Sequence, residues 1–385
     1  MNFSRRAWVA LLAIPIVAVS CATQPPEADE PAFATEPVAP SPRLEIRWRE
    51  SVDTAVAGAY RDRQYAAPAL LRTADRRELL VGTDSGWLYR YRASDAKLRW
   101  RRDLGGPIHA TPAPTDDRIF VGTLHGTLYA LDRKTGETDW KIENDREIES
   151  QPAVADGLVF YTTNAGRLIA ADVTSGEIVW EYSRSTPKEF TIKGSGTPVV
   201  HGHTVYCGFA DGVVAALDTR SGAQRWLADV TGGKTEYTDV DGPVFVRDDR
   251  VYVASYGSGV TALDRNTGSA VWSHPFENIA AAVMAERSIY ITLATGRVVG
   301  LDAETGESKW GFRMANNLPV DISQAGSYLF VSTGSGPMYV LDRATGYPML
   351  KWNPSSGVNA PVTFSETAGY MLSNKGYLYS FQVAY

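Results

Sequence analysis

Short apolar runs, five or six residues long and separated by glycine-centred turns, alternate with polar stretches along the whole of residues 44–385. One unit runs from Arg118 to Trp140. Two β-rich runs, Ile119–Thr123 and Thr127–Leu131, flank a tight turn that ends in Gly126. Glycine takes positive φ without a Cβ penalty, as a tight turn between twisted strands requires. After the second run comes Leu-Asp-x-x-Thr-Gly and then a strand carrying tryptophan. A short carboxylate accepts backbone N–H groups inside such a turn, and glycine takes its left-handed position. A proline usually opens another short apolar run before each unit, as at Pro112, Pro152 and Pro198, and proline is tolerated at the first residue of a strand. No helical period appears, so each unit predicts four antiparallel strands.

The unit recurs. Trp48, Trp100, Trp140, Trp180, Trp226, Trp272, Trp310 and Trp352 stand 52, 40, 40, 46, 46, 38 and 42 residues apart. A period near forty residues marks one supersecondary element copied many times. Four-stranded sheets repeated radially make a β-propeller. The last copy ends at Tyr385 before any tryptophan, while the orphan run Leu44–Trp48 carries one. The expectation is therefore an all-β fold, an eight-bladed β-propeller of four-stranded antiparallel blades, with the last blade closed by the N-terminal strand. Each tryptophan is expected to pack between blades.

The first copy departs from the turn motif, with Arg92 and Ala96 where the others have Asp and Gly. Six equivalent aspartates argue for turn geometry over catalysis. The repeat resembles the pyrroloquinoline-quinone-type propeller repeat over residues 44–385. That resemblance implies fold and leaves the chemistry to be read from sites.

The N-terminus predicts three segments: a lipoprotein signal peptide over 1–20, a lipidated Cys21 followed to residue 43 by a Pro/Glu/Ala-rich tether, and the propeller from 44 to 385. Arg5 and Arg6 precede the apolar run Ala7–Val19, which is too short to span a bilayer. Ala18-Val19-Ser20-Cys21 resembles a lipoprotein cleavage site, which implies cutting before Cys21 and lipid on that residue. Ala22 in place of Asp implies the outer membrane, on its periplasmic face. A plain cleavage site is the competing reading. The remaining cysteine, Cys207, lies in an apolar run and reads as an inert core thiol.

Formal charge is −6, and loss of Arg5 and Arg6 takes it to −8. Such a balance gives no footprint for nucleic acid, and the chain is expected not to cling to anionic lipid either, so that the lipid anchor carries the membrane association. No phosphate loop, nucleophile elbow or zinc motif is present. His201 and His203 form the only close histidine pair. The chain is expected to be no enzyme and to use no metal and no cofactor; the competing reading is a quinoprotein dehydrogenase-like propeller.

Function in a repeat protein sits where copies differ. The span from tryptophan to the next opening proline is 12 residues after Trp100 and Trp140 and 9 after Trp310 and Trp352. It is 18 for Trp180–Pro198 and 17 for Trp226–Pro243. These two adjacent long connections are expected side by side on one face. The first holds Phe190, Ile192, Lys193 and Gly194; the second holds Asp239, Val240 and Asp241. Apolar anchors beside charge suggest a protein-binding patch, and burial against a neighbouring blade is the alternative. Both segments resemble those of the outer-membrane protein assembly factor BamB family, although Lys193 stands where that family has arginine. The resemblance implies a non-enzymatic scaffold of the β-barrel assembly machinery. It also implies contact of Phe190, Ile192, Lys193, Gly194, Asp239 and Asp241 with a POTRA domain of BamA, other assembly subunits as partners, and unfolded outer-membrane proteins as candidate clients. A generic envelope scaffold with another partner remains open.

Overall fold

The computed structural model describes residues 43–53, 64–72, 77–184, 196–234, 239–240, 242, 244–366 and 368–384. Among them every regular element is a strand, arranged as eight four-stranded antiparallel sheets. Blade 2 shows the common plan, with strands Ala113–Pro114, Arg118–Gly122, Thr127–Asp132 and Thr138–Glu143 hydrogen-bonded in sequence order. First strands of neighbouring blades approach one another and so line the axis. Second and third strands are almost wholly buried, and fourth strands alternate between exposed and half-buried residues, which makes them the rim.

Closure is as expected. Arg43–Ser51 pairs antiparallel with Tyr377–Ala384 and becomes the fourth strand of blade 8. Apolar packing continues across that seam, where Leu79 and Tyr89 of blade 1 meet Tyr370, Leu372 and Leu378 of blade 8. The same kind of inter-blade cluster joins Tyr206 and Trp226 of blade 4 to Val244, Val251 and Leu263 of blade 5.

Six of the eight tryptophans, Trp48, Trp140, Trp180, Trp226, Trp272 and Trp310, bridge blades through one repeated contact. Trp140 Nε1 donates to the Val173 carbonyl at 3.2 Å, Trp180 to Thr219 at 2.9 Å and Trp226 to Arg265 at 2.8 Å. Each acceptor follows the turn aspartate of the next blade. The turn glycine of that blade lies flat against the indole. A Cβ added at Gly176 would come within 2.7 Å of Trp140, and one at Gly222 within 2.8 Å of Trp180. The glycine therefore serves a close approach as well as a positive φ.

Trp352 packs at a blade boundary as expected, with its ring 5.3 Å from that of Tyr379 in blade 8, but it does so from a different register. In blades 1 to 6 the tryptophan pairs with the residue two before the turn position, as Trp140 does with Ala130, and in the closing strand Trp48 pairs with Ser380, the fourth residue after the hairpin Gly376 as Ala130 is after Gly126. In blade 7 Leu350 pairs with Val340 at that position, and Trp352 lies two residues further on, opposite Met338. The physical reason is the closure itself. Blade 8 joins its last two strands from opposite ends of the chain, so it has no third-to-fourth turn to offer glycine and carbonyl to an indole.

A second feature absent from the sequence reading is a bulge in every fourth strand. Ala130 pairs with Trp140 and Leu131 with Thr138, which leaves Asp139 unpaired; the closing strand does the same at Arg47. A bulge leaves the extra residue outside the ladder, and here it points from the rim into solvent, as at Val179, 50% exposed, and Val271, 46% exposed.

Candidate partner-binding site

Connections between blades cross the hairpin joining the second and third strands of the blade they leave. Those leaving blades 1, 2, 4 and 7 return to the same hairpin. The departing end donates to the hairpin glycine: Asn144 N to Gly126 O at 2.9 Å, Arg184 N to Gly166 O at 3.0 Å, Val230 N to Gly212 O at 2.9 Å. At the returning end an apolar residue drops into the blade and donates to the start of the hairpin: Ile108 N to Thr83 O, Ile148 N to Thr123 O, Val240 N to Phe209 O and Val358 N to Thr333 O. All four plug residues are fully buried.

This places the Asp-Val-Asp segment in a new light. Val240 is the plug of blade 4, equivalent to Ile148 between Glu147 and Glu149. Asp239 is 1% exposed, and its carbonyl accepts the Ser255 hydroxyl at 3.1 Å. It therefore holds the second connection from inside and offers no surface to a partner. Phe190, Ile192, Lys193, Gly194 and Asp241 lie outside the described residues, as does Cys21.

The ends of the two long connections meet. Gly196, where the first returns, donates to Gly208 O at 3.0 Å. A Cβ on Gly196 would come within 2.9 Å of the Val240 carbonyl, and one on Gly208 would strike the Val240 side chain. Gly242 is equally confined, 2.6 Å from Ala254 O by the same measure. Three glycines thus let the returning ends of both connections meet at one spot on blade 4. Charged clamps flank it. Arg184 pairs with Asp211 at 2.7 Å, and Lys234 reaches Glu277 at 3.1 Å and Gly257 O at 2.6 Å. Beneath the spot Cys207 is fully buried, its thiol 3.7 Å from Gly196 O, and burial pushes its pKa up. A thiol so placed is not a nucleophile.

The plug equivalence was hidden from sequence reading because its flanking residues differ in every copy. The signal that could have found it is an apolar residue three or four positions before Pro112, Pro152, Pro243 and Pro361: Ile108, Ile148, Val240 and Val358.

Other candidate chemistry is dispersed. His203 Nδ1 lies 2.9 Å from Asp156, and His201 Nε2 lies 2.9 Å from the Arg265 guanidinium, so the pair engages different partners. Hydrogen bonds from His203 and then Thr219 hold the Asp156 carboxyl below its usual range. Among the described residues no three His, Cys, Asp or Glu side chains gather as a metal site would require. The turn aspartates are occupied by backbone: Asp132 accepts Lys134 N at 2.9 Å and Thr135 N at 2.7 Å, and Asp172 and Asp264 repeat the pattern.

A family model described as outer membrane protein assembly factor BamB matches residues 45–148 and 108–312. The BamB of Pseudomonas aeruginosa is 31% identical over 117 residues, 29% of this chain and 31% of that protein. The BamB of Shewanella oneidensis is 24% identical over 224 residues, 57% of this chain and 46% of that protein. The matched stretches thus span a third to under half of these relatives. In structure, BamB from Moraxella catarrhalis superposes with a TM-score of 0.76 at 24% identity, covering 88% of this chain and all of that one. A quinohemoprotein alcohol dehydrogenase from Pseudomonas putida gives 0.70 at 13% identity, covering 88% of this chain and 76% of that one. At these identities both structural likenesses concern the fold.

Proposed function

Because the chain belongs to the outer membrane protein assembly factor BamB family, we propose that it is a non-enzymatic scaffold of the β-barrel assembly machinery. It works by binding BamA through a POTRA domain, held by lipid on Cys21 to the periplasmic face of the outer membrane. The signal peptide occupies residues 1–20, and the tether follows it as far as the closing strand, which begins at Arg43.

The observation that carries this reading is the shared footing of the two long connections on blade 4. Gly196, Gly208 and Val240 fix their returning ends against each other. Two segments rooted at one spot act as a single surface, and ordering less chain on binding costs less conformational entropy. In this reading Phe190 and Ile192 supply apolar anchors and Lys193 a cation, Asp239 holds the second connection from within, and Asp241 lies beyond the plug.

The test is capture of solubilised BamA on the immobilised protein. Truncating a central apolar anchor weakens an interface by about 2 kcal/mol or more, and reversing a facing charge adds repulsion. Phe190→Ala and Lys193→Glu should each weaken capture at unchanged melting temperature, while Lys141→Glu on a short-connection blade should not. If both variants capture BamA like the unsubstituted protein, the site assignment is wrong.

A further inference from the structure

One seam between blades is built unlike the other seven. Six are joined by the indole bond described above, and at a seventh Trp100 lies against Gly136 of the next blade's third-to-fourth turn. Between blades 7 and 8, Leu350 stands in the indole position and blade 8 has no such turn. The second strand of blade 8 differs as well. Gly369 pairs with Phe381, whereas the seven other blades put leucine, isoleucine or valine at that register, as Leu329 stands opposite Leu341 in blade 7.

These three differences leave a cavity of about 680 Å³ in the seam, at the end of the ring opposite the connections. Its size is that of a site which seats a ligand. Phe330, Phe364 and Phe381 line it, with the Phe364 ring 4.5 Å from Phe330 and 5.9 Å from Phe381. Tyr328, Val383 and Arg47 complete the lining, and Arg47 donates to the neutral Gln382 side chain. Directly opposite Phe381 on the closing strand, Ile46 is 40% exposed. Apolar surface of this kind gains dispersion contacts when a side chain enters.

Position and charge argue for one occupant, the chain itself. Residues 1–42 lie outside the described residues, and the chain enters the fold at Arg43, paired with Ala384 beside Val383 of the cavity. Phe33 is the only aromatic residue between Cys21 and Arg43 and stands ten residues before Arg43, a span of up to about 35 Å. Residues 22–42 hold four acidic side chains and no lysine or arginine, which complements Arg47. Pro37, Pro40 and Pro42 lower the backbone entropy that seating the segment would cost. We propose that the tether folds back on the propeller and seats Phe33 in the seam between blades 7 and 8, giving that seam the aromatic ring the indoles give the others. The covalent link makes the contact intramolecular, at an effective concentration on the order of millimolar, so weak contacts suffice. The inference rests on the proposed signal peptide only in taking residues 22–42 as retained.

Full-length protein in detergent would be titrated against a fluorescein-labelled peptide of residues 31–42, with binding read by anisotropy. The peptide should bind the Phe33→Ala protein, and bind the unsubstituted protein at least about tenfold more weakly because its own segment competes there. In the Phe33→Ala background, Arg47→Glu should weaken peptide binding by about fivefold or more. Ser327→Trp, which crowds the cavity from blade 7, should do the same without touching the closing strand. Lys141→Glu in blade 2 should leave binding unchanged. Equal binding to both proteins would mean a seam open to another polypeptide. That result, binding to neither protein, or binding indifferent to both cavity substitutions would overturn the proposal. BamA capture reads the opposite end of the ring, so failure of either experiment leaves the other interpretable.

Discussion

An indole that donates its single proton across a blade boundary while a glycine lies against its face fixes two blades at one point. Trp140 and Gly176 form such a pair, with the Val173 carbonyl as acceptor. Trp140→Ala should destabilise by about 3–5 kcal/mol, and Gly176→Ala, at φ +75°, by about 1–2 kcal/mol from backbone alone. The two changes share one contact, so the double variant should lose less than the sum in a denaturation cycle. Blade 1 holds the natural exception, because Ala96 keeps φ +55° in the glycine position. Trp100 is another: Arg90 donates to the Arg133 carbonyl that its equivalents would use, and Trp100 Nε1 is left buried without a partner.

At the scale of the element, the third-to-fourth turn is an electrostatic device. The backbone N–H of Thr135 above all holds the Asp132 carboxyl below its usual range, as Ser175 does for Asp172 and Thr267 for Asp264. A carboxylate depressed in the folded state stabilises it fully above the unfolded value, about 3.9, and that contribution is lost as pH falls through the folded value. Urea midpoints should therefore hold steady down to about pH 4 and fall below it, with a shallower fall in Asp132→Asn; identical acid slopes would refute the device. These turns were legible in the sequence because their chemistry is local: Asp and Gly four residues apart specify the same loop in six copies. The plug at Val240 was not, since a backbone hydrogen bond to Phe209 leaves no residue-type signature and Asp239 reads as surface until its burial is seen. Nor was the bulge before each tryptophan, which is a property of pairing with the strand beside it. Leu350 was missed because tryptophan spacing was followed in place of distance from Gly346.

At the scale of the whole molecule, the ring depends on residues from both ends of the chain. Deleting Leu44–Trp48 should expose the edge of Tyr377–Ala384, lower the melting temperature and promote aggregation; unchanged melting would mean that the closing strand contributes nothing. The seven other blades complete themselves from contiguous sequence, and blade 8 alone waits for Arg43 to meet Ala384. During synthesis or export from the N-terminus, the closing strand is the first part of the fold to emerge and the last to find its place. Seven blades can stack while it is still unpaired, at a loop-closure entropy set by nearly the full chain length. The slowest step in making this protein should therefore be a single late zippering event. Its rate should respond to substitutions in Arg43–Ser51 and be indifferent to those in the turns of blades 2 to 6.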